Sequence, residues 1–508
     1  MFVGFELTCN SQSMISSSLH RFCAFVRSWP VVGNASWWGL KVFEGVFLPP
    51  RVALAASRVR MGWLGNSSDI HKRFGLRSRQ FLDASLPPSE TKTLDVSLLR
   101  AEQLSRLNAL LVVARDRPFY KARLRSICLP LDSLDQLGEL PFLTKEDLVG
   151  NAPGVPGRIF DLPRNQYSRL HQTSGTRGYP MVVLDTPDDW QWWLRCWDFV
   201  LDAARVTDDD VALMAFSFGP FIGFWTAHDA LVRRQSTVVP SGGMSSENRL
   251  RMITDHHCTV MCCTPTYALH LVEVAKRVGV DLSANSVTRI IVAGEPGGSI
   301  DSIRCNIEQA WGAEVFDHTG ASEVGAWGFA SDDRRGIHVI ESEFIAECLV
   351  FDDASPRGRV AAEGEQAELV LTNLGRLGGP AIRYRTGDIV RGYRQHDRPC
   401  RFLWLDGGVL GRCDDMVVIR GVNVFPSSVE AIVREIEPTA EFRMIVTRRD
   451  HMDQLAIQLE ASESSAGQLA RRLRDRLAMR IDVDPLPDGS LPRFEAKAKR
   501  WLDHRELH

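Results

Sequence analysis

The sequence predicts an α/β protein: a large N-terminal domain of parallel and mixed sheets layered with helices, then a small mobile C-terminal α+β domain. Three observations carry this. The chain has 508 residues, more than one compact core usually holds, so at least two domains are expected. Apolar strands and amphipathic helices alternate between about residues 168 and 292, the rhythm of a parallel sheet covered by helices. After Gly411 the pattern shifts to short strands and two helices in a compact module.

The elements run in order along the chain. Pro87-Pro88-Ser89-Glu90-Thr91-Lys92 is polar and proline-rich and reads as a linker. Leu104, Leu107, Leu110 and Leu111 recur at helical spacing within Leu98 to Arg117, and Pro118-Phe119-Tyr120 ends that helix. Thr144 caps a helix start at Lys145. Strands are expected at Val211–Phe216, Thr259–Cys263 and Arg289–Ala293, with helices at Glu247–Asp255 and Pro265–Val278 between them. Glu368–Thr372 reads as a strand of a β-meander. The module after Gly411 reads as strand Val417–Ile419, helix Ser427–Glu437, strands Phe442–Val446 and Leu455–Leu459, and helix Gly467–Arg480. The expected domains are an extension of unknown role at 1–95, a large domain at 96–410 and a small one at 411–508.

Composition narrows the class. Hydrophobic residues make up 44% and charged residues 24%, as in soluble globular proteins. A formal net charge of −3 gives no basic excess for a nucleic-acid partner, so a small-molecule substrate is expected. Eleven cysteines are scattered without a C-x-x-C pair, which disfavours zinc fingers and disulfide scaffolds and fits free thiols in a reducing cytoplasm. No run of 18 apolar residues occurs, so no spanning helix is expected. Residues 1–65 carry apolar patches such as Trp37-Trp38, interrupted by Arg and Lys, without the layout of a cleaved signal.

Five segments carry chemistry. Thr173-Ser174-Gly175-Thr176-Arg177-Gly178-Tyr179-Pro180 joins flexible backbone to hydroxyl donors, a composition that wraps phosphates. It is not the Walker phosphate loop, and by itself a Ser/Thr/Gly-rich turn is usually only a turn. Then come Thr319-Gly320-Ala321-Ser322-Glu323, Arg383-Tyr384-Arg385-Thr386-Gly387-Asp388, Gly411-Arg412-Cys413-Asp414-Asp415-Met416 with Arg420-Gly421, and Pro492-Arg493-Phe494-Glu495-Ala496-Lys497-Ala498-Lys499-Arg500. Each alone also reads as a charged turn, a capped helix or a solvated tail. Their joint occurrence in this order makes chance a poor explanation.

In these motifs the chain resembles the adenylate-forming superfamily of acyl-CoA synthetases, adenylation domains and luciferases. The Arg-Pro-Phe-Tyr ending at Tyr120, Leu-Pro-Phe-Leu-Thr-Lys at Leu140–Lys145 and the C-terminal Pro-Arg-Phe-Glu-Ala-Lys-Ala-Lys-Arg resemble its phenylacetate–CoA ligase branch. The resemblance covers about residues 98–508. It implies ATP-dependent conversion of a carboxylic acid to an acyl-AMP with release of pyrophosphate, then transfer to coenzyme A. The other readings are a carrier-protein or amine acceptor, or a catalytically silent nucleotide-binding homologue.

The resemblance also implies roles. Thr173, Ser174, Gly175, Thr176 and Gly178 match the phosphate loop, and Gly294-Glu295-Pro296 a turn on the adenine side. Thr319, Gly320 and Ser322 lie in the next nucleotide-binding motif, where Glu323 matches the carboxylate that holds Mg²⁺. Asp388 matches the ribose-binding acid, Arg412 the cation near ribose and phosphate, and Lys497 the adenylation lysine. Asp414 matches the hinge of a rotating small domain, and Gly421 the passage for the pantetheine arm of coenzyme A.

The chain departs from the family pattern in places. Arg177 stands where Thr is usual, Met181 where Lys is usual, and Thr319 where a Tyr stacks on adenine, so stacking there requires His318 or another ring. Phe216, Phe218, Phe221, Phe224, Trp225 and His228 crowd one stretch. They read as plain core or, through Phe218, Phe221, Trp225 and His228, as a pocket for an aryl or long apolar acid. The stretch from Ala326 to His338 lacks cysteine, so no structural zinc is expected.

Overall fold

The computed structural model describes residues 87–508 except 174–179, 217–218, 221, 395–398, 414–416, 420–421, 450–451, 478, 494–499 and 506–508. The chain divides into two units, Met1–Ser78 and Arg79–His508, and the described residues lie in the second.

The described chain opens with helices α1 (Pro88–Thr91), α2 (Val96–Ala114), α3 (Pro118–Arg123) and α4 (Lys145–Leu148). The stretch read as a linker holds α1: Thr91 is buried, and the Arg401 N–H donates to Lys92 O at 2.8 Å. Pro118 begins α3 as well as ending the previous helix. Its missing N–H is one the first turn leaves unbonded anyway. Thr144 and Asp147 form a reciprocal capping box on α4, the cap expected from sequence.

Next come strands β1 (Arg169–Gln172) and β2 (Val182–Asp185), an antiparallel pair, and helix α5 (Pro187–Ala203). Strands β3 (Val211–Met214), β4 (Thr237–Pro240), β5 (Val260–Cys263), β6 (Arg289–Ala293) and β7 (Glu314–Ala321) come after it, with helices α6 (Ile222–Arg233), α7 (Ser246–Asp255), α8 (Pro265–Val278) and α9 (Asp301–Trp311) between them. These strands pair in parallel in the order β4-β3-β5-β6-β7. Strand β5 and the middle of β6 are buried, as strands covered on both faces must be. Beneath them Leu271, Ile290, Ile307, Trp311 and Val315 form one core.

At β7 the sheet changes character. Strands β8 (Gly325–Ala330), β9 (Gly336–Val339), β10 (Phe344–Asp352), β11 (Ser355–Val360), β12 (Gln366–Asn373), β13 (Tyr384–Tyr393) and β14 (Trp404–Asp406) continue it antiparallel, in the order β7-β8-β9-β14-β13-β12-β10-β11. The short β15 (Gly411–Arg412) adds to β13. The expected meander strand is the middle of β12.

The last segment has its own core. Strands β16 (Val417–Ile419) and β17 (Val422–Val424) form a hairpin, and α10 (Pro426–Ile436) comes next. Strands β18 (Phe442–Arg449), β19 (Met452–Glu460), β20 (Asp482–Leu486) and β21 (Trp501–Asp503) form a sheet ordered β20-β19-β18-β21, with helix α11 (Glu463–Leu477) between β19 and β20. Val429, Val433, Ile457, Leu469 and Leu473 pack at its centre. The α/β architecture with a smaller C-terminal α+β module is the one the sequence predicts. Ser302 and Asn306 of α9 donate to the carbonyls of Ala431 and Arg434 of α10, both at 3.0 Å. No described helix is long and apolar enough to cross a membrane, and no group of three or more His, Cys, Asp or Glu among the described residues is arranged to hold a metal.

Candidate active site

The site grows from the point where parallel pairing ends. Strand β7 runs parallel to β6 and antiparallel to β8, and its register with β8 slips between Thr319 and Gly320. Such a slip bends the strand and re-aims the residues beyond it. The chain then turns through Ser322, Glu323 and Val324, closed by the Val324 N–H donating to Ala321 O at 3.0 Å. Buried donors grip this turn on both sides of Glu323. Arg376 donates through Nη1 to Ser322 O at 2.9 Å, and Asn373 donates through Nδ2 to Val324 O at 2.9 Å. Arg376 is fully buried and is itself held by Asp185, at the end of β2.

Strand β13 supplies the opposite wall. Glu368 pairs with Ile389 and Val370 with Arg385, so Thr386, Gly387 and Asp388 lie opposite the single residue Leu369. Gly387 takes φ +74°, which a side chain would strain. The Thr386 hydroxyl donates to Leu369 O at 2.7 Å and accepts from the Asp388 N–H at 3.0 Å. The bulge thus presents Asp388 to Arg412, its partner across β15. Arg412 donates to Asp388 Oδ1 at 2.8 Å and to Thr386 O at 3.1 Å.

Three acid–base groups meet here. The Tyr384 hydroxyl donates to Glu323 Oε1 at 2.8 Å. Burial pushes the Asp388 carboxyl up to about 6; Arg412 opposes this and the Glu323 charge adds to it. Burial and the Glu323 charge raise the Tyr384 phenol well above its ordinary value, so it stays protonated and donates. Among the described residues two carboxylates and one cation meet here, an arrangement in which ligand cations and hydroxyl donors can bind. For Mg²⁺, Glu323 fits: among the described residues only Oε1 accepts a hydrogen bond, from Tyr384. A metal held chiefly by substrate phosphates needs few protein ligands.

The other expected residues divide. Thr173 stands at the mouth of its loop. Its N–H donates to Met181 O at 3.0 Å, and its hydroxyl accepts from the Met181 N–H at 3.1 Å. Met181 is buried in the core, so that position offers apolar packing where the family pattern has a charge. Gly320 is exposed and Ser322 half-buried at the rim of the turn. Glu295 lies between exposed Gly294 and Pro296 and accepts the Thr266 N–H at 2.8 Å, capping α8. The Thr319 hydroxyl is buried without a hydrogen-bond partner among the described residues.

His318 is not the replacement ring. It is buried, bonds Gly328 O through Nδ1 at 2.8 Å and lies 4.4 Å from the Trp197 ring. Burial lowers its imidazole to about 4. Along β7, Phe316 and Asp317 before it are buried as well. Trp225 and His228 sit three residues apart on α6, rings 6.4 Å apart. Trp225 donates to Gly219 O at 3.0 Å, and His228 meets Asp229 at 3.0 Å. Phe218, Phe221, Ser174, Gly175, Thr176, Arg177, Gly178, Asp414, Gly421 and Lys497 lie outside the described residues.

Sequence reasoning missed Tyr384, Asn373 and Arg376. Tyr384 lay inside a charged motif without a role; Asn373 and Arg376 belonged to no motif, and only the fold brings them to Glu323.

Residues 421–505 match the family model of the AMP-binding enzyme C-terminal domain. The chain is 33% identical over 445 residues to a phenylacetate-coenzyme A ligase of Escherichia coli K12, covering 84% of this chain and 99% of that protein. A phenylacetate-coenzyme A ligase of Thermus thermophilus is 30% identical, covering 82% of this chain and 99% of that protein. Among solved structures, 2-hydroxyisobutyryl-CoA ligase in the postadenylation state with R3-HIB-AMP overlaps with TM-score 0.75 at 25% identity, over 83% of this chain and 94% of that one. The same ligase in the thioesterification state, with 2-HIB-AMP and CoA, overlaps at 0.61. Identity over most of both chains and the matching C-terminal module agree: the chain belongs to the phenylacetate–coenzyme A ligase family of adenylate-forming enzymes.

Proposed function

We propose that this protein joins ATP and a carboxylic acid into an acyl-AMP, releasing pyrophosphate, and then passes the acyl group to coenzyme A as a thioester. The observation that carries this is the meeting of Glu323, Tyr384, Asp388 and Arg412 in one cluster. The motifs supplying these residues are far apart in the chain.

In the first step a carboxylate oxygen of the acid attacks the α-phosphorus, and the bond to the pyrophosphate oxygen breaks. In the second, the coenzyme A sulfur attacks the acyl carbon and AMP leaves. Asp388 accepts the ribose hydroxyls of the nucleotide, and Arg412 balances the charge beside it. Glu323 would hold Mg²⁺, which neutralises charge on the phosphates when bound. The loop of Ser174, Gly175, Thr176 and Gly178, opened by Thr173, supplies donors to the phosphates. Lys497 brings a compact positive charge to the first step. Asp414 serves as the hinge, and Gly421 leaves room for the pantetheine arm. Thr319, Gly320 and Ser322, with Gly294 and Pro296, border the nucleotide.

For the acid, the relatives favour an arylacetic compound, with Phe218, Phe221, Trp225 and His228 around its ring. A pyrophosphate-release screen over aryl and alkyl acids, with mass spectrometry of products with and without coenzyme A, tests the reading. An acyl-AMP without coenzyme A and a thioester with it are expected. ATP binding without pyrophosphate release from any acid would overturn it in favour of a silent homologue.

A further inference from the structure

The Glu323 carboxylate is held by more than its own backbone. The Tyr384 hydroxyl donates to Oε1 at 2.8 Å, from a ring only 1% exposed. Tyr384 is fixed from both directions. Its backbone pairs with Leu371 of β12 and bridges to Leu143. The preceding Arg383 is clamped to Glu347 through two nitrogens, at 2.9 and 2.8 Å. At the turn itself, Arg376 and Asn373 fix the carbonyls on either side of Glu323. The backbone of the turn and one carboxylate oxygen are therefore both tethered, and Oε2 accepts no hydrogen bond from the described residues.

Resting on the reading of Glu323 as the metal carboxylate, we propose that Tyr384 is a positioning residue for the adenylation step: its phenol holds Glu323 Oε1 and so reserves Oε2 for the divalent cation that accompanies ATP. A carboxylate free to rotate about its last bond offers either oxygen and must be ordered when the cation arrives. One already bonded to a buried phenol is ordered beforehand. Loss of partners that orient a metal ligand in this way typically costs about 10- to 100-fold in metal affinity or activity. The phenol suits the task because it donates a single proton from a ring fixed in the core.

Tyr384→Phe removes one buried oxygen and keeps the ring that packs the strand. Two readouts are taken with the full-length chain. The first is Mn²⁺ binding, monitored by electron paramagnetic resonance in the presence of a non-hydrolysable ATP analogue. The second is the Mg²⁺ dependence of ATP–pyrophosphate exchange. Tyr384→Phe is expected to weaken Mn²⁺ binding about tenfold and to raise the half-saturating Mg²⁺ concentration by a similar factor, with the rate at saturating Mg²⁺ falling less than about threefold. Adding Tyr384→Phe to Glu323→Gln is expected to weaken Mn²⁺ no further.

Wild-type Mn²⁺ affinity in Tyr384→Phe, with weakened affinity in Glu323→Gln, overturns the positioning role and leaves Glu323 as the metal ligand. Wild-type affinity in Glu323→Gln overturns the metal reading and this proposal with it. A uniform loss of rate at every Mg²⁺ concentration in Tyr384→Phe marks a purely structural tyrosine and also overturns it.

Discussion

Two neighbouring strand ends make an instructive pair. Strands β6 and β7 run side by side in parallel, Ala293 opposite His318, and each ends in a motif with a glutamate. Beyond β7, Glu323 meets Tyr384 in a cluster that also holds Asp388 and Arg412. Beyond β6, Glu295 turns back and accepts the Thr266 N–H at the first turn of α8. A helix start exposes unbonded N–H groups and partial positive charge, so a carboxylate there already has its partner. On the Glu323 side Asp388 pairs with Arg412, and Asp388 rises to about 6 through burial and, in part, the Glu323 charge. By resemblance, the sequence assigns Glu323 to the metal and Glu295 to a turn on the adenine side. Glu323 and Asp388, brought together from two separate motifs, are the carboxylates proposed to meet the ligand, whereas the Glu295 carboxylate bonds a helix start.

Substitution can break that distinction. The largest effect is expected at Glu323→Gln, with adenylation falling about 10²-fold or more in pyrophosphate exchange, because an anionic metal ligand is lost. Glu295→Gln is expected to leave that rate within about threefold, since its carboxylate bonds a helix end. Equal losses in the two variants would erase the contrast.

Next, Asp388→Asn is expected to raise the KM for ATP about tenfold through weaker acceptance from the nucleotide hydroxyls. In the wild-type enzyme kcat/KM for ATP is expected to fall as pH drops below about 6, because Asp388 protonates there and stops being an ionised acceptor. A flat profile between pH 5 and 8 would separate Asp388 from the nucleotide.

Smaller effects concern stability alone. Glu295→Gln should destabilise the chain by about 1 kcal/mol, read by chemical denaturation, through its weakened helix cap. Asp317 on β7 is a second buried carboxylate. It accepts the Ser299 hydroxyl at 2.6 Å, and burial raises it to about 6. A carboxyl whose folded value is raised contributes stability that is fully present below about pH 4 and is lost as pH rises through about 6. Asp317→Asn is therefore expected to flatten the stability profile in that window by up to about 1 kcal/mol per pH unit. An unchanged slope would mean that Asp317 does not titrate there.

Much of this protein was legible from residue order alone. The parallel strands announced themselves because a strand covered on both faces must be apolar throughout, as in Val260-Met261-Cys262-Cys263, and the helices between them because one face must be apolar and the other wet. Glu323, Asp388 and Arg412 were singled out through the family resemblance of their motifs, while the turn after β7 and the bulge in β13 that bring them together became visible only in the fold. Pro118 was half legible: a proline stops one helix and can also start the next, and local sequence states only the first.

The sequence by itself determined the order of the motifs, the apolar faces and the residues able to do chemistry. Only the tertiary structure decided where each charge goes. His318 adjoins the Thr319 motif, yet the fold buried the histidine against Trp197. Glu295 was drawn to Thr266, 29 residues earlier in the chain, and Tyr384 to Glu323, 61 residues away. Such pairings depend on which strands lie side by side and in what register. That arrangement is set by burial summed over the whole sheet, and no local stretch of residues encodes it.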